Sequence, residues 1–215
     1  MSLEDFQLEL LFATPVLVGR LGDSERINAA LEAAILERRK SHPGIERSNV
    51  GGWHSAPDLL HWGGDPLREV AAQIVELADA NTHDMMAGPG QRRGWVLEAW
   101  ANVSERGGAN QLHAHPGCFW SAVYYVRVDP GGGGELILHD PRVPAMHMHA
   151  PMLRFRHAGA EAMVHTTPQA GMLVLFPSWL NHSVAPYLGD GLRISIALNL
   201  SAPPSIPEAP LKQPA

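Results

Sequence analysis

Twelve of the 215 residues are histidine, the commonest metal ligand and the side chain that titrates nearest neutrality. The segment Asn110-Gln111-Leu112-His113-Ala114-His115-Pro116 sets two of them two positions apart. Alternate side chains of an extended chain share one side, so His113 and His115 can present two imidazoles to one point. A third ligand has to come from elsewhere, and His182 is the best candidate. It follows the apolar run Met172–Phe176 and a short connection through Pro177 and Asn181. A His-x-His pair alone is weak evidence, and the chain has a second one, His147-Met148-His149, in a Pro- and Met-rich loop. His139, His157 and His165 read as ordinary strand or loop histidines. Further chemistry follows His182. From Leu192 to Leu200 the chain alternates, with Arg193, Ser195 and Ala197 on one face and Leu192, Ile194, Ile196 and Leu198 on the other. The aliphatic face suits a core. An arginine fork with a serine hydroxyl two residues away can bind a carboxylate. Taken alone, that polar face is more simply a solvated one; His-x-His, a distal His and Arg-x-Ser together are much less ordinary.

Two helices and a run of strands must position these groups. The first helix follows Asp23 and Ser24, both good N-caps. Ile27, Leu31, Ala34, Ile35 and Arg38 recur along it at three- and four-residue steps, and His42-Pro43-Gly44 ends it. The second starts at Asp65 with Pro66 in its first position. Leu67, Val70, Ala71, Ile74, Leu77 and Ala78 make its apolar stripe, which stops before Gly88-Pro89-Gly90. From Trp95 the period changes to two. Strands are expected at 95–103, 119–128, 135–139, 152–156, 162–165, 172–176, 182–186 and 192–200, separated by glycine turns such as Gly131–Gly134, Gly171 and Gly189-Asp190-Gly191. Short strands so closely spaced suggest a sandwich, jelly roll or barrel. Residues 1–200 read as one domain, helical over about 22–87 and β over about 95–200. Residues 201–215, rich in Pro and Ala, read as an extended or disordered tail.

Composition bounds the function. Apolar residues make up 45% and charged residues 18%, which fits a globular chain. Sixteen basic against 22 acidic residues give a net charge of -6, with no electrostatic footprint for nucleic acid or an anionic membrane. The single Cys118 rules out an internal disulfide framework and points to a reducing, cytoplasmic home. No span is apolar for long enough to cross a bilayer as a helix, and the acidic Glu4 and Asp5 are the wrong sign for a signal peptide.

The motifs resemble those of the iron(II)- and 2-oxoglutarate-dependent oxygenases, in particular a poorly characterised bacterial group. The resemblance runs from about Trp95 to Leu200. It rests on Leu112-His113-Ala114-His115-Pro116-Gly117, Ser121-Ala122-Val123-Tyr124-Tyr125-Val126, Gly133-Gly134-Glu135-Leu136 running to His139-Asp140-Pro141-Arg142, and Gly171 through Phe176-Pro177-Ser178-Trp179 to His182, with Arg193-Ile194-Ser195 behind. Leu11–Val16 and Asn49–Ser55 are similar to the same group. The resemblance implies a mainly β double-stranded β-helix, a jelly roll or cupin-like fold, with the two helices packed outside. It implies Fe(II) held by His113, His115 and His182, and 2-oxoglutarate as cosubstrate, its far carboxylate on Arg193 with Ser195 and Tyr125 beside it. Tyr124 should point the opposite way. The implied reaction is hydroxylation of an unidentified substrate with release of succinate and carbon dioxide.

One departure matters. The usual triad is two histidines and a carboxylate, and here His115 stands at the carboxylate position. Three neutral imidazoles also make a good zinc site, so the native metal is open between iron and zinc. Asp140 and Glu135 are the nearest carboxylates that could supply the missing charge. The alternatives are a cupin-type three-histidine metalloenzyme that does not use 2-oxoglutarate, and a jelly-roll binding module without catalysis. The first leaves Arg193 and Ser195 idle. Trp100, Trp120, Trp179 and Met146–Met152 are candidates for the substrate mouth. The substrate is a small molecule or a protein. Oligomeric state is open, with a homodimer the leading expectation because helix-fronted jelly rolls often dimerise.

Overall fold

A computed structural model describes residues 12–85, 87, 94–143, 152 and 162–203. Among them eleven strands form two antiparallel sheets. In chain order the strands are β1 (Leu17–Arg20), β2 (Asn49–Val50), β3 (Trp53–His54), β4 (Val96–Ser104), β5 (Ala109–His113), β6 (Trp120–Arg127), β7 (Leu136–His139), β8 (Met163–Thr166), β9 (Met172–Pro177), β10 (His182–Val184) and β11 (Arg193–Ser201). The larger sheet runs β1-β9-β6-β11-β4-β3 and the smaller β2-β5-β10-β7-β8. Apart from β3–β4 and β7–β8, every neighbouring pair is non-consecutive in the chain, the mark of the jelly roll expected from the strand count.

The period-two alternation of the large sheet explains both its faces. Trp120, Ala122, Tyr124 and Val126 of β6, Ile194, Ile196, Leu198 and Leu200 of β11, and Ala99, Ala101 and Val103 of β4 are all buried in one cluster. Helix α1 (Ser24–Ser41) covers that face with Ile27, Leu31 and Ile35, and helix α3 (Gly64–Ala80) with Leu67, Val70, Ala71, Ile74 and Ala78. Each such side chain contributes about 1.5–3 kcal/mol of burial. The opposite face of the same strands looks between the sheets. There a smaller apolar cluster of Tyr125, Leu136, Leu138, Met172, Val174, Phe176 and Leu180 fills one part, and the rest is open.

Several expectations are corrected in detail. Asp23 stands at the N-cap of α1 but its carboxylate makes no cap hydrogen bond and pairs with Arg26 instead. A one-turn helix α2 (Leu59–Trp62) precedes α3, which begins at Gly64, so Pro66 falls in its first turn but not at its first position. Strand β10 stops at Val184, before Pro186, which has no N–H to offer a ladder. Strands β1, β2, β3 and β5 were not among the expected strands; each is five residues or fewer and too short to show clear alternation. The strand expected at 152–156, the His147/His149 pair, most of the methionine loop and the tail beyond Pro203 lie outside the described residues.

Candidate metal and cosubstrate site

A cavity of about 440 Å³ opens between the sheets, and the strand ladders place every predicted site residue on its wall. On the small sheet β10 pairs with β5 so that His182 lies directly opposite His113. His115 sits just past the end of β5, where its backbone N–H donates to Ser178 O at 2.9 Å. The connection that carries it is thereby fixed to the segment leading into β10. The three rings converge, with centroid separations of 4.3 Å for His113–His182, 5.0 Å for His113–His115 and 5.1 Å for His115–His182. One ligand atom from each lies within 4.8 Å of the others.

Backbone carbonyls set the tautomers. His113 Nδ1 lies 2.7 Å from Gln111 O and His182 Nδ1 lies 2.9 Å from Leu180 O. A carbonyl only accepts, so each Nδ1 carries the proton and each Nε2 keeps its lone pair for a metal. Burial lowers the pKa of all three, His115 to about 4 and His182 to about 3, and at His115 and His182 neighbouring imidazoles add to the effect. All three are therefore neutral at pH 7, the form that coordinates. Neither carboxylate considered from sequence joins them. Asp140 is engaged by Arg142 at 2.8 Å and Glu135 by His165 at 3.0 Å.

The large sheet supplies the other wall. Along β11, Arg193, Ser195, Ala197 and Asn199 all line the cavity, so the polar face that could have been solvated is interior. The register sets Ser195 between Tyr125 of β6 and Asn102 of β4, and Ala197 between Val123 and Trp100. Arg193 is 2% exposed. Its Nε donates to Gly134 O at 3.1 Å, one terminal nitrogen lies 3.2 Å from Ser195 Oγ, and its guanidinium sits 5.1 Å from the Tyr125 ring centroid. Gly134 is required there: at φ +70 any added Cβ would stand 2.7 Å from Arg193 Cδ. Among the described residues no carboxylate meets this buried cation. Tyr125 Oη is also buried, its proton has no acceptor among the described residues, and burial raises its pKa against the opposing pull of the neighbouring Arg193 guanidinium, keeping the phenol a donor. Tyr124 points the opposite way and donates to Asn28 Oδ1 at 2.7 Å.

Of the three tryptophans considered for the substrate mouth, Trp100 lines the cavity and meets His115 at 5.6 Å between centroids. Trp120 is on the helix side, donating to Thr82 Oγ1 at 2.8 Å, and Trp179 is exposed and off the cavity wall. The sequence reading expects pocket-lining residues from the segment 44–64 without naming them; the structure places there His54, stacked on Trp100 at 5.7 Å, and Arg47 and Ser48 at the rim. Only β3 pairing with β4, His54 opposite Asn102, brings His54 in, and a two-residue strand leaves no periodic trace.

This is a jelly roll whose interior brings onto one cavity three convergent imidazoles and a buried guanidinium that, among the described residues, meets no carboxylate. Residues 98–199 match a family model described as "Putative 2OG-Fe(II) oxygenase". That stretch, which holds all six predicted site residues, is similar to the 2-oxoglutarate- and Fe(II)-dependent oxygenases. Solved structures share the fold. A prolyl-4-hydroxylase from Pseudomonas putida superposes with a TM-score of 0.61 at 16% identity, over 90% of this chain and 96% of that one. HygX from Streptomyces hygroscopicus, solved with nickel and 2-oxoglutarate bound, gives 0.58 at 15% identity, over 88% and 83%. A prolyl hydroxylase from Trichoplax adhaerens, in complex with a hypoxia inducible factor peptide fragment, gives 0.58 at 13%, over 87% and 83%. Comparison with curated proteins finds no sequence match.

Proposed function

We propose that His113, His115 and His182 hold Fe(II), and that Arg193, with Ser195 and Tyr125, receives the far carboxylate of 2-oxoglutarate. The observation that carries this reading is the pair at the Arg193 end: a buried guanidinium that meets no carboxylate among the described residues and a buried phenol whose proton has no acceptor among them. Both gain a partner if one carboxylate enters. A three-histidine enzyme that used no keto acid would leave both unmatched, which weighs against the cupin alternative. The donor set also fits a divalent metal: two Nε2 lone pairs are aimed by backbone carbonyls and all three rings are neutral.

When bound, Fe(II) with 2-oxoglutarate activates dioxygen, one oxygen atom entering succinate as carbon dioxide leaves and the other hydroxylating a substrate C–H. The chain's own part is positional. Arg193 fixes the far end of the cosubstrate in a fork geometry. Tyr125 donates to the same carboxylate, and Gln111 O and Leu180 O keep two of the ligand rings from rotating. Trp100, His54, Val123 and Ala197 wall the space beside His115 and keep water from it.

No described helix is long and apolar enough to cross a membrane. With one cysteine in the chain, a cytoplasmic enzyme is the reading we favour. Anaerobic addition of Fe(II) and then 2-oxoglutarate tests the cosubstrate role. A weak visible charge-transfer band is expected when the keto acid chelates the iron, and stoichiometric metal binding without that band would speak for the cupin alternative.

A further inference from the structure

The cavity carries a second arginine that the cosubstrate does not use. Arg47 lines the rim, and among the described residues its guanidinium meets no carboxylate. Its backbone N–H donates to Asn49 Oδ1 at 2.8 Å. The segment that carries it is tied to both sheets. Ile45 N–H donates to His54 O and Gln111 N–H to Ser48 O, both at 2.8 Å, and Asn49 of β2 pairs with Asn110 of β5. Arg47 is thus a cation on a braced rim beside His113.

Two neutral donors accompany it. Ser48 Oγ accepts from Asn110 Nδ2 at 3.1 Å, which leaves its own O–H to donate. That proton has His113 Nε2 within 3.4 Å. Once Nε2 is committed to a metal, the hydroxyl is free to serve a ligand in the cavity. A guanidinium, a hydroxyl and the amide that orients it make a recognition edge for an oxyanion.

The charge count points the same way. Among the described residues the cavity wall holds Arg47, Arg193 and one carboxylate, Glu98. A divalent metal and the dianion 2-oxoglutarate cancel, and the remaining three charges leave the filled cavity one unit positive. The chain as a whole is at -6. Glu98 lies on β4 four residues from Asn102, the partner of His54, roughly 13 Å along the strand. It turns an anion away from that end and toward Arg47.

We propose that the substrate is a small organic acid, its carboxylate received by Arg47 with Ser48 and Asn110 beside the metal ligand His113. The proposal rests on the oxygenase reading of the cavity, and a volume of about 440 Å³ shared with the cosubstrate suits a small molecule. The test uses full-length protein loaded anaerobically with Fe(II) and saturating 2-oxoglutarate, titrated calorimetrically with hexanoate, hexanamide and hexylamine. Hexanoate should bind about tenfold more tightly than hexanamide, and hexylamine more weakly than either. Arg47→Ala should bring hexanoate down to the hexanamide level with metal and 2-oxoglutarate affinities unchanged, and Arg47→Lys should keep part of the advantage. Hexanoate binding no tighter than hexanamide, including no binding of either, overturns the proposal. So does an advantage that survives Arg47→Ala, or a preference for the amine. If 2-oxoglutarate itself fails to load, the oxygenase reading falls and this proposal with it; failure of hexanoate on a loaded protein removes the proposal alone.

Discussion

At one end of the cavity three imidazoles stand together without charge; at the other a guanidinium is buried without a counter-ion. The first end is prepared by local means. Carbonyls two residues away orient the His113 and His182 rings, and burial removes their protons at neutral pH. From the rest of the fold it needs the β5–β10 pairing that sets His182 opposite His113 and the bond from His115 N–H to Ser178 O. The second end is prepared by the fold as a whole. Arg193, Ser195 and Tyr125 come from neighbouring strands in fixed register, and Gly134 clears the space for the arginine stem. Burying an unpaired cation costs stability, so this end holds an unmet demand that a carboxylate satisfies. The metal end is set up to coordinate and the arginine end to select.

Breaking the metal end should give the largest effect. His182→Ala removes the most buried of the three ligands and should abolish stoichiometric iron binding, measured by metal analysis after desalting, while circular dichroism stays that of the folded protein. Full occupancy in this variant would remove His182 from the ligand set.

A subtler change separates structural from functional roles at the arginine end. Tyr125→Phe deletes a buried hydroxyl that has no partner. Without cosubstrate the variant should be as stable as wild type or more so by about 1 kcal/mol, yet its 2-oxoglutarate affinity should fall about tenfold. Thermal melts with and without 2-oxoglutarate read both at once. An unchanged affinity would mean that the phenol only packs.

The smallest effect is the pH response of the metal-free protein. Burial holds His115 at about 4 and His182 at about 3, against an ordinary value of 6.5. Below pH 6.5 the unfolded chain takes up protons that the folded one refuses, so stability falls as pH drops from about 6.5 toward 4. Above pH 7 these groups add no slope. Urea midpoints across that window should show the fall, and His182→Gln should reduce it, with His115 still contributing; an identical slope in that variant would place the proton uptake elsewhere.

How much was legible in sequence follows the same division. The site residues on long strands were readable because alternation over Leu192–Leu200 and the His-x-His spacing are local patterns, and the structure places Arg193, Ser195, His113, His115 and His182 around one cavity. That the Arg193 face is interior was not readable, since a solvated polar face has the same period. Only the second sheet packed over it decides. Arg47, Ser48 and His54 lie in the segment 44–64 expected to line the pocket, but were not singled out: His54 is on the two-residue β3 and Arg47 and Ser48 just precede the two-residue β2, and the place of both strands is set by pairing with β4 and β5. Trp120 was misassigned to the mouth for a related reason. On β6 it alternates with Ser121, and its burial under α3 depends on which face the helices take.

The central claim is that the buried guanidinium exists to bind 2-oxoglutarate. Titration of 2-oxoglutarate into anaerobic, Fe(II)-loaded wild type and Arg193→Ala tests it most directly. Removing one partner of a buried charge pair costs about 2–5 kcal/mol, or roughly 30- to several-thousand-fold in affinity. The account predicts a loss of that order with iron binding intact, since Arg193 is not a ligand, and partial recovery in Arg193→Lys, where a point charge replaces the fork. Equal affinities in wild type and Arg193→Ala, or no binding to either, would contradict it.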